Sequence, residues 1–251
     1  MRALVTGAAG FAGRHLVAHL RARGDDVVEA GHACEESVDF RIAEDVAALT
    51  RRASPEVVFH LAGTSDPAEF ARDVASAHLN VVQPAVNLLE ALAFHGKGAR
   101  LVLVTGWQVY GRPPRLPLDE TCPVQPADLF GTAKGAVEFI ARGYRQRGVD
   151  YVVARPFHHL GPGRRPLSGD PAARRDLTDV RDVVAGYVLL AERGVAGEAY
   201  NLCSGRAVAL ADVPHVPAPS KEPPVLLGSP AKAEALGWVR RFALEETLAS
   251  L

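Results

Sequence analysis

The chain has 251 residues, 48% of them hydrophobic and 23% charged, with a formal net charge of -1. That balance gives no bulk attraction to nucleic acid or to an anionic membrane, and no apolar run is long enough to span a bilayer. Three widely spaced cysteines, Cys34, Cys122 and Cys203, argue against a disulfide framework or a metal site, and the length suits one continuous α/β unit with a sizeable core.

The chain opens on a strand, "RALVT" at 2–6, with no signal-peptide pattern, which together with the cysteine usage predicts a cytoplasmic protein. Residues 11–24 are apolar at 11, 16, 17 and 20 and stop at Gly24, the pattern of a helix. Strands are predicted at 26–30, 56–62, 100–105 and 150–156, and helices at 42–52, 68–95 and 128–147. Near-continuous apolar strands alternating with helices predict a parallel sheet covered on both faces, a doubly wound Rossmann-type α/β fold. Residues 157–175, rich in Gly, Pro and Arg, read as loop. A helix over 180–194 and a strand over 198–203 follow, then a proline-rich stretch at 211–230 and a short helical tail. The domain reading is a dinucleotide-binding unit over 1–156, completed by about 176–203. Residues 157–175 and 204–251 then form a reduced substrate-binding lobe.

The stretch "TGAAGFAG" sets Gly7, Gly10 and Gly13 between the first strand and the first helix. Glycines let the backbone turn sharply and approach a diphosphate, and the helix start presents unpaired N–H groups and partial positive charge to it. In a strand–turn–helix context this is a phosphate cradle. The second strand normally ends in an acid that binds the adenosine ribose. Here Gly31 falls at that place, with Glu29 set further back and His32 following. Without the acid, a 2′-phosphate is not repelled, and Arg14 or His32 could support it. The cofactor is therefore NAD(H) or NADP(H), with the residues favouring NADP.

With the glycine loop, several further segments resemble the extended short-chain dehydrogenase/reductase family of nucleotide-sugar epimerases, dehydratases and reductases. These are Asp39-Phe40, "HLAG" at 60–63, "NVVQPAVNLLEA" at 80–91, "VTGWQVYG" at 104–111 and "FGTAK" at 130–134. "ARPFHHLGPG" at 154–163, "RRDLTDVRDVVAGY" at 174–187, "YNLCSG" at 200–205 and "GSPAKAEALGW" at 228–238 complete the set. The wording of "HLGPG" and "DLTDVRDVV" is most similar to the GDP-4-keto-6-deoxymannose reductase subgroup. The resemblance assigns cofactor contacts to Gly7, Gly10, Phe11, Ala12, Gly13, His32, Asp39, Phe40, Leu61, Ala62 and Gly63. It adds Val104, Lys134, Pro156, Phe157 and His158. It also implies a small-molecule substrate, such as a nucleotide-sugar or a related keto or hydroxy compound. A homodimer through the helices near 68–95 and 128–147 is implied as well.

The family's catalysis rests on a tyrosine, a lysine four residues later on the same helix face, and a serine or threonine on a strand end. Here Phe130 holds the tyrosine position and Gly106 the serine position, with Thr105 one residue earlier and facing the other way in a regular strand. Lys134 alone is kept. Trp107 and Gln108 occupy the place of the dehydratases' acidic pair, and His158 replaces an asparagine. The segment between Gly163 and Arg175 is shorter than in the family, as is the one before "PPVLLGSP". Three readings stand together. In the first, the protein is an oxidoreductase or epimerase whose chemistry has moved to His158, His159, Cys122 or Thr105. In the second, it is a catalytically silent NAD(P)-binding protein, sensor or partner, or a non-redox enzyme using the same cleft. In the third, Phe130 is an engineered trap, which leaves Gly106 unexplained.

Individual residues have plainer roles to set beside these. His158 and His159 are adjacent, so on an extended strand only one faces the site. His60 reads as strand-end packing, Cys122 as an apolar filler and Arg155 as a strand-end anchor. Arg164, Arg165, Arg174 and Arg175 could meet phosphates, or stand solvated in their loops.

Overall fold

Six strands alternate with helices through the first four-fifths of the chain. The structure, a computed structural model, describes every residue of 1–251 except 65–66, 97, 113–114, 165 and 220–221; of Pro67 and Ala68 it describes the backbone alone. In chain order the first elements are β1 (Arg2–Thr6), α1 (Phe11–Ala22), β2 (Asp26–Ala30), α2 (Ala43–Ala53) and β3 (Val57–His60). Then come α3 (Pro67–Arg72), α4 (Val74–His95), β4 (Arg100–Val104), a 3-10 turn (Trp107–Tyr110), α5 (Leu129–Arg145) and β5 (Asp150–Pro156). The strands β6 (His158–Leu160), β7 (Leu167–Gly169) and β8 (Arg174–Asp179) lead into α6 (Val180–Arg193) and β9 (Ala199–Leu202). The chain closes with β10 (Ala207–Ala209), β11 (His215–Pro217), β12 (Val225–Leu226), α7 (Ala231–Ala235) and α8 (Leu244–Ala249).

The central sheet runs β2-β1-β3-β4-β5-β9, and every pair is parallel. Side chains alternate between its faces, which fixes the two cores. Ala3, Val5, Phe59 and Val152 pack under α1 and α6, with Leu16, Leu20, Val183 and Tyr187. Leu4, Val58, Leu103 and Val153 pack under α2, α4 and α5, with Leu49, Leu88 and Val137. From β1 the chain crosses to β2 on one side and then to β3 on the other. The strand order therefore reverses between β1 and β3, and a crevice opens there at the carboxyl ends.

The helix predicted over 68–95 is two helices. Asp73 leaves helical geometry and its carboxylate accepts the Ser76 N–H at 3.1 Å, capping α4 and ending α3. Asp128 caps α5 in the same way through the Gly131 N–H at 2.7 Å.

Residues 157–175 and 211–230, predicted as loop and proline-rich coil, contain strands. β8 is the spine of a small sheet, flanked by antiparallel β10 and parallel β12, with β6 parallel to its second half. β7 pairs with β11. These strands are mostly two or three residues long and take partners from distant sequence, so no periodicity announces them. Leu160, Leu167, Leu177, Leu210 and Val213 give the lobe its own small core. No helix among the described residues is long and apolar enough to cross a membrane. Nor do the described residues contain a cluster of three or more His, Cys, Asp or Glu able to hold a metal.

Candidate functional site

A cleft of about 590 Å³ occupies the crevice, running from the end of β2 across to β6. Every residue that the family resemblance assigns to cofactor contact or to the catalytic relay borders it, from the glycine loop through Leu61–Gly63 and Val104–Gly106 to Phe130, Lys134 and Pro156–His158, whereas Arg14 and Cys122 do not.

The floor of one end is the loop between β1 and α1. Gly7 sits at φ +70°, and a Cβ there would lie 2.9 Å from the Ala62 nitrogen. A side chain at this position would push the two loops apart. Gly10 caps α1, so Phe11, Ala12 and Gly13 are its first residues, and their N–H groups have no intrahelical acceptor.

At the end of β2, Glu29 forms an ion pair with Arg21 of α1 at 2.6 Å and does not border the cleft. Gly31 and His32 line the wall instead, while Arg14 is exposed and outside it. Asp39 is gripped by Arg41, whose side chain donates to it at 2.6 Å and whose backbone N–H donates at 2.9 Å. Those bonds hold the Asp39 carboxyl down at about 2. Beneath it Phe40 is buried, its carbonyl accepting from Asn87 of α4.

Further in, Thr6 Oγ accepts the Ala62 N–H at 3.1 Å and lies 2.8 Å from His60 Nδ1. Burial, reinforced by the charge of Lys134, pulls His60 down to about 3, so it is a neutral packing residue.

Lys134 projects from α5 into the cleft, one turn after Phe130. Burial lowers its amine to about 8, and among the described residues its ammonium makes no hydrogen bond or ion pair. Its Nζ lies 5.8 Å from the centroid of the Phe130 ring. Phe130 itself is buried edge-to-face against Phe70 at 5.6 Å.

Thr105 lies on the cleft wall, but its hydroxyl donates inward to Glu138 at 2.7 Å. Glu138 also takes two bonds from Arg155, at 3.0 and 2.6 Å, and both side chains are 4% exposed. Arg155 bonds the Tyr110 hydroxyl at 2.9 Å, which donates to Asn201 at 2.7 Å. Burial first, and then its bonds to Glu138, set the Arg155 titration, and the net shift is upward. Arg155 is thus an interior anchor.

Gly106 bends the chain at φ +145°, and a Cβ there would meet Gln108 Oε1 at 2.5 Å. The bend does not re-aim Thr105 into the cleft, because Glu138 holds its hydroxyl.

The two histidines of β6 turn opposite ways, yet both border the cleft, against the expectation that only one would. His158 lies against Trp107 with ring centroids 5.6 Å apart, and His159 stacks on Phe11 at 5.8 Å. Burial draws His159 down to about 4. His158 Nε2 is 3.7 Å from Glu222, while its Nδ1 is buried with no hydrogen-bond partner among the described residues. Glu222 also binds Arg175 at 3.0 Å. Arg175 is buried and donates to the Pro223 carbonyl, and Arg174 donates to the Ala207 carbonyl, so both are structural. Arg164 does border the cleft, and Arg165 lies outside the described residues. Cys122 is buried as a filler. Sequence reasoning missed Arg41, Glu138 and Glu222. The i, i+2 spacing of Asp39 and Arg41 was the one available signal.

The family model for the NAD dependent epimerase/dehydratase family matches residues 3–171. The chain is 31% identical to a UDP-glucose 4-epimerase of Mycolicibacterium smegmatis over 303 aligned positions, covering 99% of this chain and 96% of that protein. It is 30% identical to a GDP-6-deoxy-D-mannose reductase of Pseudomonas aeruginosa, over 82% of this chain and 75% of that protein. The fold matches the structure of RMD from Pseudomonas aeruginosa complexed with NADPH, with a TM-score of 0.86 and 26% identity over 100% of this chain and 97% of that one.

Proposed function

The chain belongs to the NAD dependent epimerase/dehydratase family of extended short-chain dehydrogenases/reductases, and from that premise we propose that it binds a nicotinamide dinucleotide in the cleft and acts on a nucleotide-sugar or related keto or hydroxy compound. The observation that carries this reading is one cleft that joins the glycine loop, with the free first N–H groups of α1, to Lys134, whose ammonium makes no hydrogen bond or ion pair among the described residues. The residues present fit the cofactor. The first N–H groups of α1 would hold its diphosphate, Asp39 and Phe40 its adenine, and the Lys134 ammonium its second ribose. When bound, the nicotinamide supplies a hydride acceptor or donor.

The proton chemistry must come from elsewhere than in most of the family. Phe130 carries no proton, Gly106 has no hydroxyl, and the hydrogen of Thr105 is committed to Glu138. We assign the proton transfer to His158, a cleft imidazole with Trp107 behind its ring and Glu222 3.7 Å from its Nε2. The bare end of β2, with Glu29 held by Arg21, supports NADPH over NADH.

The lobe, predicted over 157–175 and 204–251 but built around β8 as far as Asp179, is read as a shortened substrate cover. An alignment of 303 positions against a chain of 251 residues supports this, since the epimerase carries segments that this chain lacks. Leu79 and Phe94 of α4 and Phe139 of α5 are 54%, 67% and 52% exposed, which supports a homodimer through those helices.

The committed proton of Thr105, together with Phe130, favours one second reading, a cofactor-binding protein without turnover. Calorimetry with NADPH and NADH, followed by turnover of a panel of keto-sugar nucleotides, tests both. Micromolar binding with turnover supports the enzyme, and binding without turnover supports the silent protein. Absence of any dinucleotide binding refutes both.

A further inference from the structure

The loop after β6 folds back over the start of α1. His15 Nε2 is 3.0 Å from the Pro162 carbonyl, and the His159 ring lies nearly parallel to that of Phe11, with 13° between their planes. The guanidinium of Arg164 sits 5.1 Å from the centroid of the same Phe11 ring. Phe11 is the first residue of α1, directly after the capping Gly10. The stack therefore carries the charge of Arg164 to the rim of the cleft beside the unpaired N–H groups of the first helical turn.

Arg164 has no anionic partner there. Among the described residues its guanidinium makes no hydrogen bond or ion pair, and desolvation alone lowers its pKa. Of the acids on the cleft wall, Asp39 is already taken by Arg41. His159, drawn down to about 4, is neutral at ordinary pH and adds no competing charge. A guanidinium packed on an aromatic ring keeps its N–H groups for a separate acceptor, and a planar fork of donors matches phosphate oxygens. The glycine loop offers only backbone N–H groups and a fractional helix charge, leaving a full cation to come from elsewhere.

We propose that Arg164 is a diphosphate-binding residue, closing over the dinucleotide's diphosphate from the lobe side, opposite the glycine loop. The inference rests on the cofactor reading above. It gives the lobe a second task, since a residue outside the dinucleotide-binding unit then helps to hold the dinucleotide. Phe11 is the positioning residue that carries the guanidinium.

Calorimetric titration of the full chain with ADP-ribose, which has the diphosphate but no nicotinamide, tests it. Arg164→Ala is expected to weaken ADP-ribose binding roughly ten- to a hundredfold, the usual range for a lost charged hydrogen bond to phosphate. Adenosine, added as a competitor without phosphate, should bind the variant and wild type within about twofold, because no charged contact to it is lost. Arg164→Lys should recover part of the loss, as a point charge without the fork. The exposed position of Arg164 leaves the melting temperature as a check that the variant is folded. Wild type and Arg164→Ala binding ADP-ribose equally would overturn the inference while leaving the cofactor reading intact. A loss confined to UDP-glucose, with ADP-ribose unchanged, assigns the arginine to a substrate diphosphate and also overturns it. A wild type that ignores ADP-ribose removes both readings.

Discussion

Thr105 hands its hydroxyl hydrogen to Glu138 across 2.7 Å, and Arg155 grips the same carboxylate with two of its nitrogens. A threonine on the cleft wall is thereby turned into a support for the interior. The three side chains tie the end of β4 to α5 and β5, the elements that carry Gly106, Lys134 and Pro156.

Glu138→Gln keeps the shape but leaves Arg155 buried without a counter-charge. Breaking such a pair costs about 3–5 kcal/mol, and for a chain of this size the melting temperature should fall by roughly 6–20 °C. Scanning calorimetry measures it, and a drop under about 2 °C contradicts the assignment.

Phe130→Tyr restores a proton donor one turn before Lys134. With NADPH and a keto-sugar nucleotide, turnover should rise by about 10²-fold or more, the lower end of what acid–base help supplies. Gly106→Ser should behave differently. Its backbone at φ +145° and the neighbouring Gln108 oppose a side chain, so it should cost about 1–3 kcal/mol of stability. Steady-state kinetics and urea melts on each single variant separate the two effects, and a harmless Gly106→Ser would show that the bend is soft.

Lys134 makes stability depend on alkaline pH. Its amine titrates at about 8 when folded, against an ordinary value of 10.5. Between those pH values the unfolded chain binds more protons, so stability contributed by this group rises with pH through that window. The cost of burying the charge is fully present below about 8. Lys134→Met should therefore be more stable than wild type at pH 7, with the gap closing by about pH 10.5. Paired urea unfolding across pH 7–10.5 reads the gap, and one that does not change with pH disproves the account.

His32 stands at the end of β2 where the cleft is open to a 2′-phosphate. Wild type should bind NADPH more tightly than NADH at low ionic strength. His32→Glu should weaken NADPH roughly tenfold through like-charge repulsion while leaving NADH nearly unchanged. Fluorescence titration with both cofactors decides it. Tighter NADH binding by the wild type would reverse the assignment.

The exposed faces of α4 and α5 set an assembly test. Leu79→Glu combined with Phe139→Glu should convert a two-chain species to single chains without lowering the melting temperature of the isolated chain. Light scattering after gel filtration reports the mass, and a wild type that already runs as one chain ends the dimer proposal.

The central sheet was legible because β1, β3, β4 and β5 are runs of mostly buried apolar residues, and the phosphate cradle because its glycines fall between β1 and α1. The lobe was not legible. β8 reads as "RRDLTD", and what makes it a strand is pairing with Ala207–Ala209 and Val225–Leu226, far along the chain. Asp73 could have been read as a cap, since Ser76 follows at the right spacing, but the apolar pattern on either side masked it. Glu138 lies in "GAVEFIARGY" like any charged residue on an amphipathic helix, and its burial depends on Arg155 arriving from the next strand. The cleft's residue list was legible from resemblance. Which hydroxyl points where was not, because that is set by partners across the sheet.

β5 and β6 are separated by one residue, Phe157, whose N–H is bonded to the Leu202 carbonyl at 3.0 Å and whose ring is buried. The lobe thus leaves the central sheet through a joint with no slack. Beyond that joint the lobe is also tied to the start of α1, by the hydrogen bond between His15 and the Pro162 carbonyl and by the stack of His159 on Phe11, so the two units meet on both sides of β6.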